Sequence, residues 1–436
     1  MPYQGGSRLP AEFASKLGHL EVVNSDFVKK LVEDFESTNI SNIEIKAKWG
    51  NIPTGEPLPF IFGVDGSLQP ITSETWPYKK LIFVKTALVG IDQYALSKLD
   101  KENPHPFRLR DILSESSVFH AVVFPLQHVK IKGMNTYHTI RKIIFDAIKD
   151  EKLGGEIMET LKWIAYEKWE NSKKAIPEFD CPHCRDVVAT LPYDAEIGNC
   201  PKCKEEIYLT DMLGFHQIMT EEIAPDSVAT DYMAIHETLL LFTGVRYFWE
   251  NNKKALVKSL FVKDGPLSIR AQYSKLVNPI RRFFEFARNE GYNVHMIGQE
   301  KSGRFFDHLQ LLVRNAPVNS LFIPGDKYIK EEIQQRPETG RPYGYDTNYG
   351  AKIFVKLSNY HNMIINIPTA GGQNIPNPKL DDLIGKEQIF GTIPTILSNK
   401  FEGALLPVEM AHSIASLSTY PSAKILKIFA EKMGLL

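Results

Sequence analysis

The sequence is short of cysteine, of net charge and of long apolar runs, and each shortage closes off a class of protein. Four cysteines in 436 residues are too few for a secreted scaffold held by disulfides. A formal net charge of −1 excludes a strongly basic coat for nucleic acid, although local basic patches decide such affinity. No apolar stretch has the ~20 residues needed to cross a bilayer, so no membrane association is expected. The first residues, MPYQGGSRLPAEF, lack the basic-then-apolar plan of a signal peptide, and a cytoplasmic location is the expectation. What remains is an ordinary globular composition, 43% hydrophobic and 24% charged, in a chain long enough for two or three structural units.

The few cysteines are not scattered. They form Cys181-Pro182-His183-Cys184 and Cys200-Pro201-Lys202-Cys203, separated by fifteen residues, 185–199. Two such pairs supply four thiolates to one tetrahedral Zn²⁺, the plan of a zinc ribbon. Four sulfur ligands leave no open position, so the predicted role is structural. His183 and His216 are read as bystanders.

Elsewhere the chain alternates strand and helix patterns, which predicts an α/β fold. Ser25 or Asp26 caps a short leader helix with apolar residues at 27, 28, 31, 32 and 35. Three strands follow, around Ile61–Ser67, Leu81–Val89 and Phe119–Leu126, close enough in sequence to form a meander. Helical periodicity runs from Tyr137 to about Trp169, and a largely apolar helix from Asp231 to Asn252. A strand at Ser259–Leu267, a helix at Asn278–Asn289 ended by Gly291 and a strand at Asn293–Gly298 suggest parallel pairing through a crossover. Strands at Ala351–Leu357 and Met363–Pro368 precede a late helix opening at Leu406-Pro407.

Acids interrupt this pattern at costly places. Asp65 lies in an apolar strand, where a carboxylate needs a positive partner, and Gly66-Ser67 after it allow close approach. An Asp-Gly pair also opens turns, so Asp65 taken alone reads more readily as a strand end, and it is the other acids along the chain that reverse this. Glu237 sits on an apolar helix and calls for a cation. Asp264-Gly265 repeats the strand-Asp-Gly signature, Lys301 follows the next strand, and His412 lies on the late helix beside Ala411. Carboxylates converging from several elements repel one another unless divalent cations lie among them. Oxygen ligands with one imidazole suit Mg²⁺ or Mn²⁺, and two such ions serve phosphodiester cleavage.

Asp65-Gly66-Ser67, Glu237, Asp264-Gly265-Pro266-Leu267, Lys301-Ser302 and Leu406–His412, taken in that order, resemble the NurA nuclease family on a ribonuclease H-like fold. The resemblance implies a mixed sheet flanked by helices, here with an inserted zinc ribbon. It divides the chain into a helical leader (1–56), a first nuclease segment (57–176), the ribbon (177–212) and a second nuclease segment (213–436). It also implies a Mn²⁺-dependent nuclease on single- and double-stranded DNA, with 5′-to-3′ exonuclease and endonuclease action. Asp65, Glu237, Asp264 and His412 would be the metal ligands, with Lys301 in support. A homodimer fed by a hexameric HerA-type ATPase is implied, in DNA end processing or antiphage defence. The alternative is a non-catalytic subunit that grips nucleic acid or the ATPase. Lys79, Lys80, Lys85, Lys130 and Lys132, with Arg281 and Arg282, are candidate DNA contacts, and Tyr78, Tyr137 and Phe305 candidate stacking rings.

Overall fold

The structure is a computed structural model and describes residues 22–35, 47–93, 117–171, 174–185, 188–398, 403–418 and 421–435. It divides into a small unit, 1–46, and a large one, 47–436. In the small unit, helix α1 (Asp26–Glu33) starts at Ser25, whose hydroxyl accepts the Val28 amide, so the serine rather than Asp26 is the cap. The remainder of the predicted leader up to residue 46 lies outside the described residues.

Nine strands among the described residues of the large unit form one mixed sheet. In chain order they are β1 (Gly50–Asn51), β2 (Phe60–Thr72), β3 (Lys80–Asp92) and β4 (Ser117–Gln127). After the ribbon strands come β9 (Ser259–Asp264), β10 (His295–Glu300), β11 (Ser320–Phe322), β12 (Ala351–Lys356) and β13 (Asn362–Ile367). Their spatial order is β1-β11-β12-β13-β10-β9-β2-β3-β4. β2, β3 and β4 form the antiparallel meander that short connections favour. β9 runs parallel to both β2 and β10, which is possible because helices carry the chain between them. The β4-β3-β2-β9-β10 half is the ribonuclease H-like arrangement.

Helices cover both faces. On one lie α2 (Thr136–Ile148), α3 (Glu156–Ala165), α4 (Ser227–Asn251) and α5 (Val277–Asn289), burying residues such as Leu161, Leu239, Phe242 and Phe283 against Val64, Val84 and Phe261. On the other, α6 (Leu406–Ala415) packs Val408 and Ala411 over Ile61, Leu260 and Val262. The helical stretch expected from 137 to 169 is broken in two. Gly154 and Gly155 adopt φ of +64° and +71° between the pieces, a region that favours glycine over residues with a Cβ. Gly291 ends α5 as expected, at φ +84° with its amide on the Arg288 carbonyl.

The ribbon strands are β5 (Glu178–Asp180) with β6 (Val188–Thr190), and β7 (Ile197–Asn199) with β8 (Glu206–Tyr208), two antiparallel pairs. Cys181 and Cys200 each follow the first strand of a pair. Their turns close alike, with Arg185 N–H on the Cys181 carbonyl and Lys204 N–H on that of Cys200, both at 3.0 Å. The ribbon is part of the main core: Phe179, Ala189, Leu191 and Ile207 belong to the same apolar cluster as α3 and α4. Tyr137 of α2 donates to the Pro182 carbonyl at 2.6 Å, and Arg141 binds Asp211 through Nε and Nη2 at 2.9 and 2.8 Å. Both partners of that last pair are buried.

Candidate active site

Asp65 is not at a strand end. β2 continues past it to Thr72, and Asp65 stands mid-strand opposite Ala87, 4% exposed. Three features hold its carboxylate: the Gly66 amide donates to Oδ1 at 2.8 Å, His412 Nδ1 lies 2.7 Å from Oδ2, and α6 packs over the strand. Close packing of α6 needs small residues on both sides. A Cβ at Gly63 would stand 2.5 Å from the Pro407 carbonyl oxygen, and Ala411 and Ala415 are fully buried. Ser67 completes the seam by accepting the Leu417 amide at 3.0 Å.

The β2–β9 ladder ends at the pair Val64–Lys263, so Asp65 and Asp264 are the next residues on two adjacent parallel strands. Burial first, then the charges of Asp264 and Glu237, push the Asp65 carboxyl up to about 8. A carboxyl crowded in this way is what a bound cation relieves. Asp264 itself pairs with Lys301 Nζ at 2.8 Å, with the lysine partly exposed at the rim. Glu237, buried on α4, pairs with Lys263 Nζ at 3.0 Å, and that ammonium also donates to the Asp264 carbonyl at 2.9 Å. Burial raises the Glu237 carboxyl despite this partner. For Lys263, burial acts to lower the pKa, but the facing Glu237 outweighs it and keeps the ammonium above its ordinary value.

The five residues singled out from sequence thus gather at one place, although not as a contracted ligand set. Among the described residues only the four cysteines bring three or more ligand atoms within 4.8 Å of one another. Each acid instead has a basic side chain against it: His412 for Asp65, Lys263 for Glu237, Lys301 for Asp264. The donor set of three carboxylates and an imidazole fits Mg²⁺ or Mn²⁺ in kind. Lys263 is the residue sequence reading missed. Its signal was a charge in the otherwise apolar Ser259-Leu260-Phe261-Val262-Lys263, which a buried acid had to answer.

The cysteines fit zinc in geometry as well. Cys181 and Cys203 sulfurs are 3.7 Å apart, Cys184 and Cys200 sulfurs 3.8 Å. Four sulfurs each about 2.3 Å from a tetrahedral zinc stand about 3.8 Å apart, whereas a disulfide requires about 2.0 Å. His183 points its Nε2 at the Glu206 carbonyl and Arg141, and His216 is buried with burial pulling its pKa down to about 4.

Several candidate DNA contacts are occupied elsewhere. Arg281 is buried and donates to the carbonyls of Asn348 at 2.8 Å and Tyr345 at 2.9 Å; Arg282 binds Glu167. Lys80 pairs with Asp226, Tyr137 is buried under the ribbon, and Phe305 packs on Tyr343. Tyr78, Lys130 and Lys132 remain at the surface.

No protein-family model and no curated protein matches this sequence. Among solved structures, the chain is similar over nearly its whole length to a crystal structure of NurA, at 11% identity, covering 96% of this chain and 97% of that one with a TM-score of 0.30. A crystal structure of NurA with manganese matches at 12% identity over 95% and 98% of the two chains, with a TM-score of 0.23. Identity this low and superposition this loose leave the functional argument to the chain's own residues.

Proposed function

We propose that the chain is a divalent-metal-dependent phosphodiester hydrolase acting on DNA. The observation that carries this reading is Asp65: a carboxylate in the middle of a buried strand, crowded by Asp264 and Glu237. Fold stability gives no reason to collect three acids there, since each must be matched by a dedicated basic partner. A divalent cation held by Asp65, Asp264 and Glu237 would activate a water and stabilise the leaving oxygen of a phosphodiester. His412 orients Asp65, and Lys301 presents an ammonium at the rim where a phosphate arrives. The resemblance to the NurA family extends the proposal to 5′-to-3′ exonuclease and endonuclease action with Mn²⁺, in a cytoplasmic homodimer. The same resemblance suggests a hexameric HerA-like ATPase that feeds DNA to it in end processing or antiphage defence.

The basic side chain set against each acid supports a second reading, a non-catalytic subunit in which the acids are structural. The two part in one assay. Mn²⁺-stimulated degradation of linear DNA by the wild-type chain, abolished in Asp65→Ala and in Asp264→Ala with the zinc content unchanged, is the expected result. No cleavage with any divalent metal, alone or with the ATPase, would leave the second reading standing.

A further inference from the structure

A strand sends alternate side chains to opposite faces. On β2, Ile61 joins the cluster under α6 and Val64 the cluster under α4, so Asp65 belongs to the α6 face and Gly66 to the α4 face. β9 follows the same rule: Val262 lies on the α6 side and Phe261 on the α4 side, which puts Lys263 toward α4 and Asp264 toward α6. Glu237, carried by α4, therefore starts on the opposite side of the sheet from the two aspartates it must join.

The sheet is open at this point. The β2–β9 ladder stops at Val64–Lys263, β9 ends at Asp264, and Gly265 turns the chain away at φ +84° and bridges to Gln299 of β10. Beyond Val64, β2 keeps its β3 partner but has no ladder on the β9 side among the described residues. Gly66 borders that notch. A Cβ there would stand 2.6 Å from Glu237 Oε1 and 2.5 Å from Met233 Cγ, so the carboxylate already lies flush against the glycine backbone, held by Lys263. Gly66 has no positive φ among the glycines that do; what its position requires is the missing side chain.

We propose that Gly66 is the clearance through which Glu237 crosses from the α4 face of the sheet to complete a cation site with Asp65 and Asp264, an inference that rests on the metal-centre reading above. Gly66 is a positioning residue that acts through Glu237, and this separates it from a glycine needed only for folding.

The test is direct titration of the full-length, zinc-loaded chain with Mn²⁺ by calorimetry, with thermal unfolding alongside. Gly66→Ala should weaken Mn²⁺ binding about tenfold or more, as should Glu237→Ala. The double variant Gly66→Ala/Glu237→Ala should bind like Glu237→Ala alone, because with residue 237 shortened no carboxylate is left for Gly66 to position and the two effects are not additive. Gly66→Ala/Met233→Ala, which removes the other side chain in the way and leaves the Glu237–Lys263 pair intact, answers the case in which Gly66→Ala does not fold, and it should still bind Mn²⁺ about tenfold more weakly than wild type. Gly66→Ala binding Mn²⁺ within twofold of wild type, or a double variant markedly weaker than Glu237→Ala, would overturn the proposal. Asp65→Asn separates the two levels. Binding lost in Asp65→Asn but kept in Gly66→Ala overturns the clearance alone, whereas binding indifferent to Asp65→Asn overturns the metal centre and the clearance with it.

Discussion

The cysteine cluster and the acid cluster pose the same electrostatic problem and solve it differently. Four sulfurs are drawn within 4.8 Å of one another inside a ribbon fused to the main core, with Cys181 and Cys200 fully buried. The three acids are held apart, each against its own basic side chain, and Asp65 remains strained enough for its carboxyl to sit near 8. One metal would saturate the first arrangement and leave it nothing to offer a substrate. The second keeps its charges exchangeable, which the proposed metal and phosphate site requires. The contrast teaches that burial alone does not tell the two kinds of site apart; what does is whether the ligands close on a single metal or are held against exchangeable basic side chains.

The comparison breaks first at the ribbon. Cys181→Ser or Cys200→Ser should abolish stoichiometric zinc, read by metal analysis. Because the ribbon side chains share the core cluster, it should also lower the melting temperature by about 10 °C or more, structural zinc being worth on the order of 10 kcal/mol to small domains. A mere loss of zinc with unchanged melting would show the ribbon to be an appendage. Next comes Lys263→Met, which leaves Glu237 buried without its cation. A destabilisation of about 3–5 kcal/mol in denaturant unfolding is expected, and Mn²⁺ should restore part of it if the cation takes the place of the ammonium. The smallest effect belongs to Arg282→Ala. Its guanidinium is partly exposed while the Glu167 it binds is buried, so a cost of about 1–3 kcal/mol, below that of Lys263→Met, and unchanged DNA affinity in a binding titration are predicted. A clear loss of affinity would return α5 to the DNA-contacting surface.

Much of this was legible in the residues. Cysteine spacing announced the ribbon, because tetrahedral ligation imposes a local pattern. The strands and their parallel crossover followed from apolar runs and short connections, and Asp65, Glu237 and Asp264 stood out because a charge in an apolar element is expensive. The rest depended on tertiary partners that spacing does not reveal. Asp65-Gly66 taken alone reads more readily as a turn, and only the long ladder with β3 shows the strand running on to Thr72. Arg281 has the sequence look of a DNA contact, yet its donors are claimed by the carbonyls of a loop more than sixty residues away. Lys263 and the clearance at Gly66 emerge only when α4 is laid over the open end of β9.

The most direct test of the central claim is thermal unfolding of the wild-type chain and of Asp65→Asn at constant zinc, with and without Mn²⁺. The folded-state pKa of Asp65 lies above its ordinary 3.8, so without a divalent cation the ionised carboxylate disfavours the folded state. That penalty grows as pH rises from about 4 and is complete above about 8. The account predicts that near pH 8 Asp65→Asn melts above wild type when no Mn²⁺ is present, that Mn²⁺ raises the wild-type melting temperature, and that the rise disappears in the variant together with DNA cleavage. An equal Mn²⁺ shift in both proteins, or a variant that melts lower and still cleaves DNA, would contradict it.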